Sequence, residues 1–242
     1  MKILNLHNKK QKGFTLVELL IAMVVALLVS AAVYASYKVQ QQTHKAQMQV
    51  TEIQQNLRAA METMARDFHF AGYDPTRTGD YGVLSGSSST RFLFTADLCD
   101  DGGNPNAATP CAAGGPYAGE TFDETYQYEL FTPAADIADD DDTTALRRTN
   151  TPNPIAENIE FIEFYYILND GSGTLGPLNA AQLPLVRSVR VTLVGRADEP
   201  DYKYTNTQTY PRGSGAGDYD PPDDNYRRRS LIRTIELRNM GI

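Results

Sequence analysis

Apolar positions are spread very unevenly along this chain. From Phe14 to Tyr37 the only ionisable side chain with a charge at neutral pH is Glu18. As one helix this run spans roughly 36 Å, enough to cross a bilayer. Beyond Lys38 the apolar residues thin to a stripe: Ala46, Val50, Ile53, Leu57, Ala60 or Met61, Met64 and Phe68 step by threes and fours. That spacing marks one face of an amphipathic helix. Glu52, Gln54, Gln55, Glu62 and Arg66 fall mostly off the stripe, and Glu62 to Arg66 has the spacing of an i,i+4 ion pair. Gly72 and Pro75 supply a stop. The pattern predicts a single helix from Phe14 to about Ala71, whose second half needs an apolar surface to lie on.

That surface is expected to be an antiparallel sheet. Stretches rich in β-branched and aromatic residues predict strands at Arg91–Ala96, Thr125–Phe131, Ile159–Leu168, Ser188–Val194 and Leu231–Leu237. A helix followed by strands, rather than alternating with them, gives an α+β class. Long polar insertions separate the strands at 98–124, 133–154 and about 196–225. Residues 212–225, with Gly213, Gly215 and Gly217 beside a Pro/Asp run, are expected to form a flexible linker.

Charge then sets the orientation. Lys2, Lys9, Lys10 and Lys12 precede the apolar run, and only Lys38 and Lys45 follow it closely. The excess of positive charge holds the leader in the cytoplasm and exports the remainder. The 242-residue chain has a formal net charge of −8; because the leader contains four lysines and no acid, the rest carries −12. Such a head opposes non-specific nucleic-acid binding. Cys99 and Cys111 are the only cysteines, and in an exported chain an even pair implies a disulfide. Glu18 inside an apolar helix costs on the order of 2.5–3.5 kcal/mol to insert, which the surrounding Leu, Ile, Val and Phe residues offset. A carboxylate kept at that cost implies a partner cation, and cleavage after Gly13 would create one, the α-amine of Phe14.

The segment Gly13-Phe14-Thr15-Leu16-Val17-Glu18, with lysines before it and an apolar helix after it, resembles the processing site of type IV prepilins and type II secretion pseudopilins. The resemblance implies a pilin-like fold and cleavage after Gly13 by a membrane prepilin peptidase. It also implies N-methylation of Phe14, and a Glu18 that neutralises the amine of an adjacent subunit during assembly. Leu57 to Pro75, with Arg66-Asp67 and Ala71-Gly72-Tyr73, and the closing Thr234-Ile235-Glu236-Leu237-Arg238-Asn239 resemble PilW-type minor pilins. Ala35 stands where many major pilins carry a helix proline, which agrees with a minor subunit. The chain then divides into a leader (1–13), a long helix (14–72, with 14–37 in the membrane or filament core) and a β-rich head (73–242). The function implied is that of a structural or priming subunit of a type IV pilus. The expected partners are other pilins, the peptidase, the inner-membrane assembly platform and, before assembly, lipid. A J-like type II secretion pseudopilin shares this plan, and a tethered surface-binding or adhesion protein is the alternative from another class. The place expected is the inner membrane, head outward in the periplasm, and later the extracellular filament.

No catalytic constellation is visible, so an enzyme is not expected. His7 belongs to the leader, and His44 and His69 lie about seven turns apart on the helix. No cofactor is expected, with calcium as an option: Asp97, Asp100, Asp101 and Asn104, Asp139–Asp142 and Asp218–Asp224 offer oxygen ligands without an EF-hand spacing. Tyr226-Arg227-Arg228-Arg229 is the one basic cluster, and nearby acids are its expected partners.

Overall fold

The computed structural model describes residues 13–75, 81–98, 125–132, 144–148 and 154–240. Helix α1 (Leu16–Phe68) is continuous, yet it contributes to two compact units, one ending at Gln47 and one beginning at Met48. In the first unit the described side chains up to Lys45 are all exposed, the apolar ones included. In the second, Ile53, Leu57, Ala60, Met61, Met64 and Phe68 are buried. This is the predicted stripe, with two polar additions that its spacing did not reveal, Gln49 and Asp67.

The helix closes slightly earlier than expected. Phe70 N–H donates to the Asp67 carbonyl at 2.9 Å and Ala71 N–H to that of Phe68 at 3.2 Å, so the last turn tightens. Gly72 follows with φ 75°, where a Cβ would lie 2.8 Å from Met240 Sδ. Left-handed backbone and the close sulfur together call for glycine there.

Among the described residues the head contains three antiparallel sheets. The first joins β1 (Arg91–Thr95), β2 (Thr125–Phe131) and β3 (Ala145–Arg148) in that order. The second contains β4 (Ile159–Leu168), β5 (Gly173–Thr174), β6 (Val186–Arg196) and β9 (Arg228–Glu236), in the order β5-β4-β6-β9. A small ribbon pairs β7 (Tyr210–Pro211) with β8 (Asp218–Tyr219). The five predicted strands are all present, two of them with the expected bounds. The short β3 lies inside what the pattern marked as an insertion.

Register explains the core. Ile162, Phe164 and Tyr166 of β4 pair with Leu193, Val191 and Val189 of β6, which puts one buried row of each strand on the same face. Helix α1 covers that face and packs tightly at Gly195, where a Cβ would meet Ile53 Cγ2 at 3.2 Å and Leu57 Cδ2 at 3.3 Å. At the helix end Phe68 stands edge-on to Phe92, Phe94 and Tyr128, with centroids 4.7, 5.7 and 5.3 Å away. The aromatic cluster thus joins the helix to the first sheet.

Candidate functional site

The N-terminal segment begins in open space. A Cβ added at Gly13 would meet nothing within 4 Å, and Phe14 is 88% exposed. The helix starts at a reciprocal cap: Thr15 N–H and Thr15 Oγ1 donate to Glu18 Oε2 at 3.0 and 2.9 Å, and Glu18 N–H donates to Thr15 Oγ1 at 3.3 Å. This is a capping box, in which two of the otherwise orphaned N–H groups of a helix start are satisfied. Its signature, Thr15-x-x-Glu18, is a local sequence pattern, and it gives Glu18 a capping role within its own helix beside the intersubunit role expected of it. Gly13 and Phe14 therefore lie just before the helix and Glu18 within its first turn. Cys99 and Cys111 fall outside the described residues.

From Leu16 to Val33 the helix presents apolar side chains on every side, among them Leu19, Leu20, Val24, Val25, Leu27 and Leu28, all more than half exposed. A helix with no polar face is suited to lipid or to the packed interior of an assembly. Its apolar character gives way at Tyr34, Tyr37 and Lys38, with the Lys38 ammonium 5.3 Å from the Tyr34 ring centre.

In the head, buried polar groups fasten covering segments onto the sheets. Asp67, on the helix, accepts from the Tyr128 hydroxyl of β2 and, at 2.8 Å, from Arg148 Nη1 of β3. Burial and the Asp67 charge push the Tyr128 phenol far above its usual range, so it remains a donor. On the opposite face of the large sheet Glu163 is 1% exposed. It accepts from Arg212 Nε at 2.6 Å and from Ser214 N–H and Oγ, both at 3.1 Å. Gly213 N–H donates to Thr192 Oγ1 at 2.9 Å, and Arg190 Nη1 donates to the Gly213 carbonyl at 2.8 Å. The stretch expected to be a flexible linker is instead an ordered cover, held down by a carboxylate that the alternation of β4 points away from the helix. Gly213 belongs there because a Cβ would lie 2.7 Å from Thr192 Oγ1.

Two arginines of the basic cluster are occupied in the same way. Arg228 reaches Glu160 Oε1 at 2.9 Å and both oxygens of Asp224 at 2.6 Å. Burial alone would weaken its proton affinity; the hydrogen bonds to Asp224 and Glu160 outweigh that and raise it. Arg227 pairs with Asp201 at 2.7 Å and lies 4.3 Å from the Tyr204 ring centre. Burial pushes the Tyr210 phenol up to about 12, and its hydroxyl donates to Asn206 Oδ1 at 3.1 Å. One expected pair is rearranged: Glu62 bonds Arg233 of β9 at 2.9 Å, because the strand passes beside the exposed flank of the helix.

His44 is exposed in the first unit, whereas His69 Nδ1 donates to the Glu236 carbonyl at 3.1 Å. The two are not brought together. Among the described residues no group of three or more His, Cys, Asp or Glu has a metal-binding arrangement. Asp100, Asp101, Asn104 and Asp139–Asp142 lie outside those residues; Asp97 is buried, Asp218 bonds Thr209, and Asp224 is taken by Arg228.

Residues 8–34 match the family described as Prokaryotic N-terminal methylation motif, and residues 137–239 match Type IV Pilus-assembly protein W. No curated protein matches the chain. Among solved structures, a type IV-like pilin from Thermus thermophilus aligns over 79% of this chain and 100% of its own, with 19% identity and a TM-score of 0.48.

Proposed function

We infer, for a chain that belongs to the type IV minor pilins and carries a PilW-type head, that it is made as a membrane-anchored precursor, cut after Gly13 and methylated on Phe14. It then serves as a low-abundance structural or priming subunit of the pilus. The observation that carries this reading is the arrangement of the first turn: an exposed Gly13–Phe14 junction, Glu18 one turn away, and an unpartnered apolar helix beyond. Twenty residues from Phe14 to Val33 span about 30 Å, the thickness of a bilayer core, so Tyr34, Tyr37 and Lys38 fall at the headgroups. The four leader lysines keep that end cytoplasmic and put the head in the periplasm before assembly. The peptidase, the assembly platform and neighbouring pilins are its partners, and its role is structural rather than catalytic. The match of residues 137–239 to a pilus-assembly protein supports a pilus over a secretion pseudopilus.

Extraction of a neighbour's α-amine into an apolar core requires a counter-charge, because a buried unpaired ammonium costs several kcal/mol. Glu18 supplies it, and Thr15 holds the carboxylate at the helix start. The test is intact mass and pilus content of the native-host protein, as wild type and as Glu18→Val and Glu18→Asp. The expected mature mass lacks residues 1–13 and gains one methyl group. Glu18→Val should be cut normally but incorporated poorly, with Glu18→Asp intermediate. A full-length chain in peptidase-competent cells, or normal incorporation of the Val variant, would defeat the reading.

A further inference from the structure

Among the described residues one long backbone edge of the head is left open where the others are closed. The outer edge of β1 is met by Leu84 N–H on the Leu93 carbonyl (3.0 Å) and by Thr95 N–H on that of Gly82 (2.8 Å). Beyond β3, Leu146 N–H reaches the Ala156 carbonyl at 2.8 Å. Where β5 ends, β4 is covered by the carbonyls of Ser89 and Thr144, which accept from Phe164 and Ile159 at 2.7 and 3.0 Å. The other edge of that sheet is β9, a nine-residue strand.

The groups it leaves open follow from its register. Leu237 N–H donates to the Arg187 carbonyl at 2.9 Å, and Ala197 N–H donates to that of Arg227 at 2.8 Å. With the antiparallel pairing of β6 and β9, the odd-numbered residues of β9 therefore exchange bonds with β6. The N–H and C=O groups of Ser230, Ile232 and Thr234 point outward, and among the described residues none of them has a partner. The next outward carbonyl, Glu236, is already closed by His69.

We propose that this edge is a docking site for an extended segment of a neighbouring pilin of different sequence, added to the sheet as a further strand. Strand addition draws its affinity from main-chain bonds and its specificity from alternate side chains. On one side the edge displays Arg229, exposed, and Arg233, exposed but already paired with Glu62 of the helix; on the other it displays Ser230, Ile232 and Thr234, with Ile232 38% exposed. The segment that fits is acidic on the arginine side and β-branched or apolar on the Ile232 side. A second copy of β9 fits badly, since pairing would gather four exposed arginines along one seam, the way edge strands avoid self-association. Filament neighbours meet through two different surfaces, so an edge on one can receive a strand from another.

The proposal builds on the pilus-subunit reading, and one experiment separates them. In the native host, Ile232→Pro removes one outward N–H and leaves the ladder to β6 intact, as proline permits on an edge; Ile232→Thr keeps the N–H. Sheared pili should contain at least about tenfold less of the Pro variant, a difference of roughly 1.4 kcal/mol, while the Thr variant stays near wild type. A photo-crosslinking benzoylphenylalanine at Thr234 should capture another pilin. If Ile232→Pro does not fold, the Arg229→Glu variant, which leaves the Arg233–Glu62 pair in place, decides, with the same loss expected. Wild-type levels of the folded Pro variant or of the Arg229→Glu variant, crosslinks only between copies of this chain, or no crosslink at all would overturn the edge contact. A wild-type chain absent from pili yet crosslinked at Thr234 to a pilin would sink the pilus reading and keep the edge.

Discussion

At the scale of single residues, buried charge does the fastening in this head. Glu163 and Asp67 are each matched by an arginine and a hydroxyl, because an unmatched buried charge would cost several kcal/mol. The exposed members of the same scheme are weaker and report on pH. Hydrogen bonds from Arg227, against a small opposing effect of burial, hold the Asp201 carboxyl below its ordinary value. A depressed carboxyl adds stability that is complete above its unfolded pKa of about 3.9 and is lost as pH falls through the lower folded value. Asp201→Asn should therefore cost about 0.5–1 kcal/mol, the scale of a partly exposed pair, at any pH between about 5 and 8. The gap to wild type should close below about pH 4, as followed by denaturant titrations across pH. None of these pairings was readable in the sequence, which offers many acids near each arginine and no means to choose among them. Thr15–Glu18 is the opposite case: its partners lie three residues apart, so local spacing alone specifies the bond.

Among the elements, the helix and the long strands were legible because their patterns repeat. Ile53 to Phe68 keep a helical period over several turns, and β4 and β6 carry dense β-branched and aromatic residues. β3, β7 and β8 were not, since Ala-Leu-Arg-Arg and two-residue pairs with a proline contain too few residues to establish a period. They exist because a neighbouring strand or buried side chain holds them. The helix lies close on the sheet at one small residue, Gly195, beneath Ile53 and Leu57. Gly195→Ala needs a shift of a few tenths of an ångström in those side chains. Gly195→Val should push the helix off the sheet and cost about 1–3 kcal/mol, as overpacked cores do; chemical denaturation of the two variants checks the order.

The whole molecule separates its tasks along one helix. Burial on α1 begins at Gln49, so the stretch before it contributes nothing to the core of the head. A fragment from Lys38 to Ile242 should unfold with the same stability, within about 0.5 kcal/mol, as the full chain in detergent, since no buried side chain is lost. A large fall in stability would show that the head depends on its anchor. The amino-acid sequence by itself determined the long apolar helix, the N-terminal methylation motif and the α+β class. Those follow from hydrophobic period and a local motif, both of which act between residues near one another in the chain. Only the tertiary structure decided that residues 212–225 form an ordered cover, that Glu62 pairs with Arg233, and that β9 is the edge left open among the described residues. Each depends on which distant segments pack side by side, and the bonds concerned are backbone groups or ubiquitous charges whose partners no local pattern specifies.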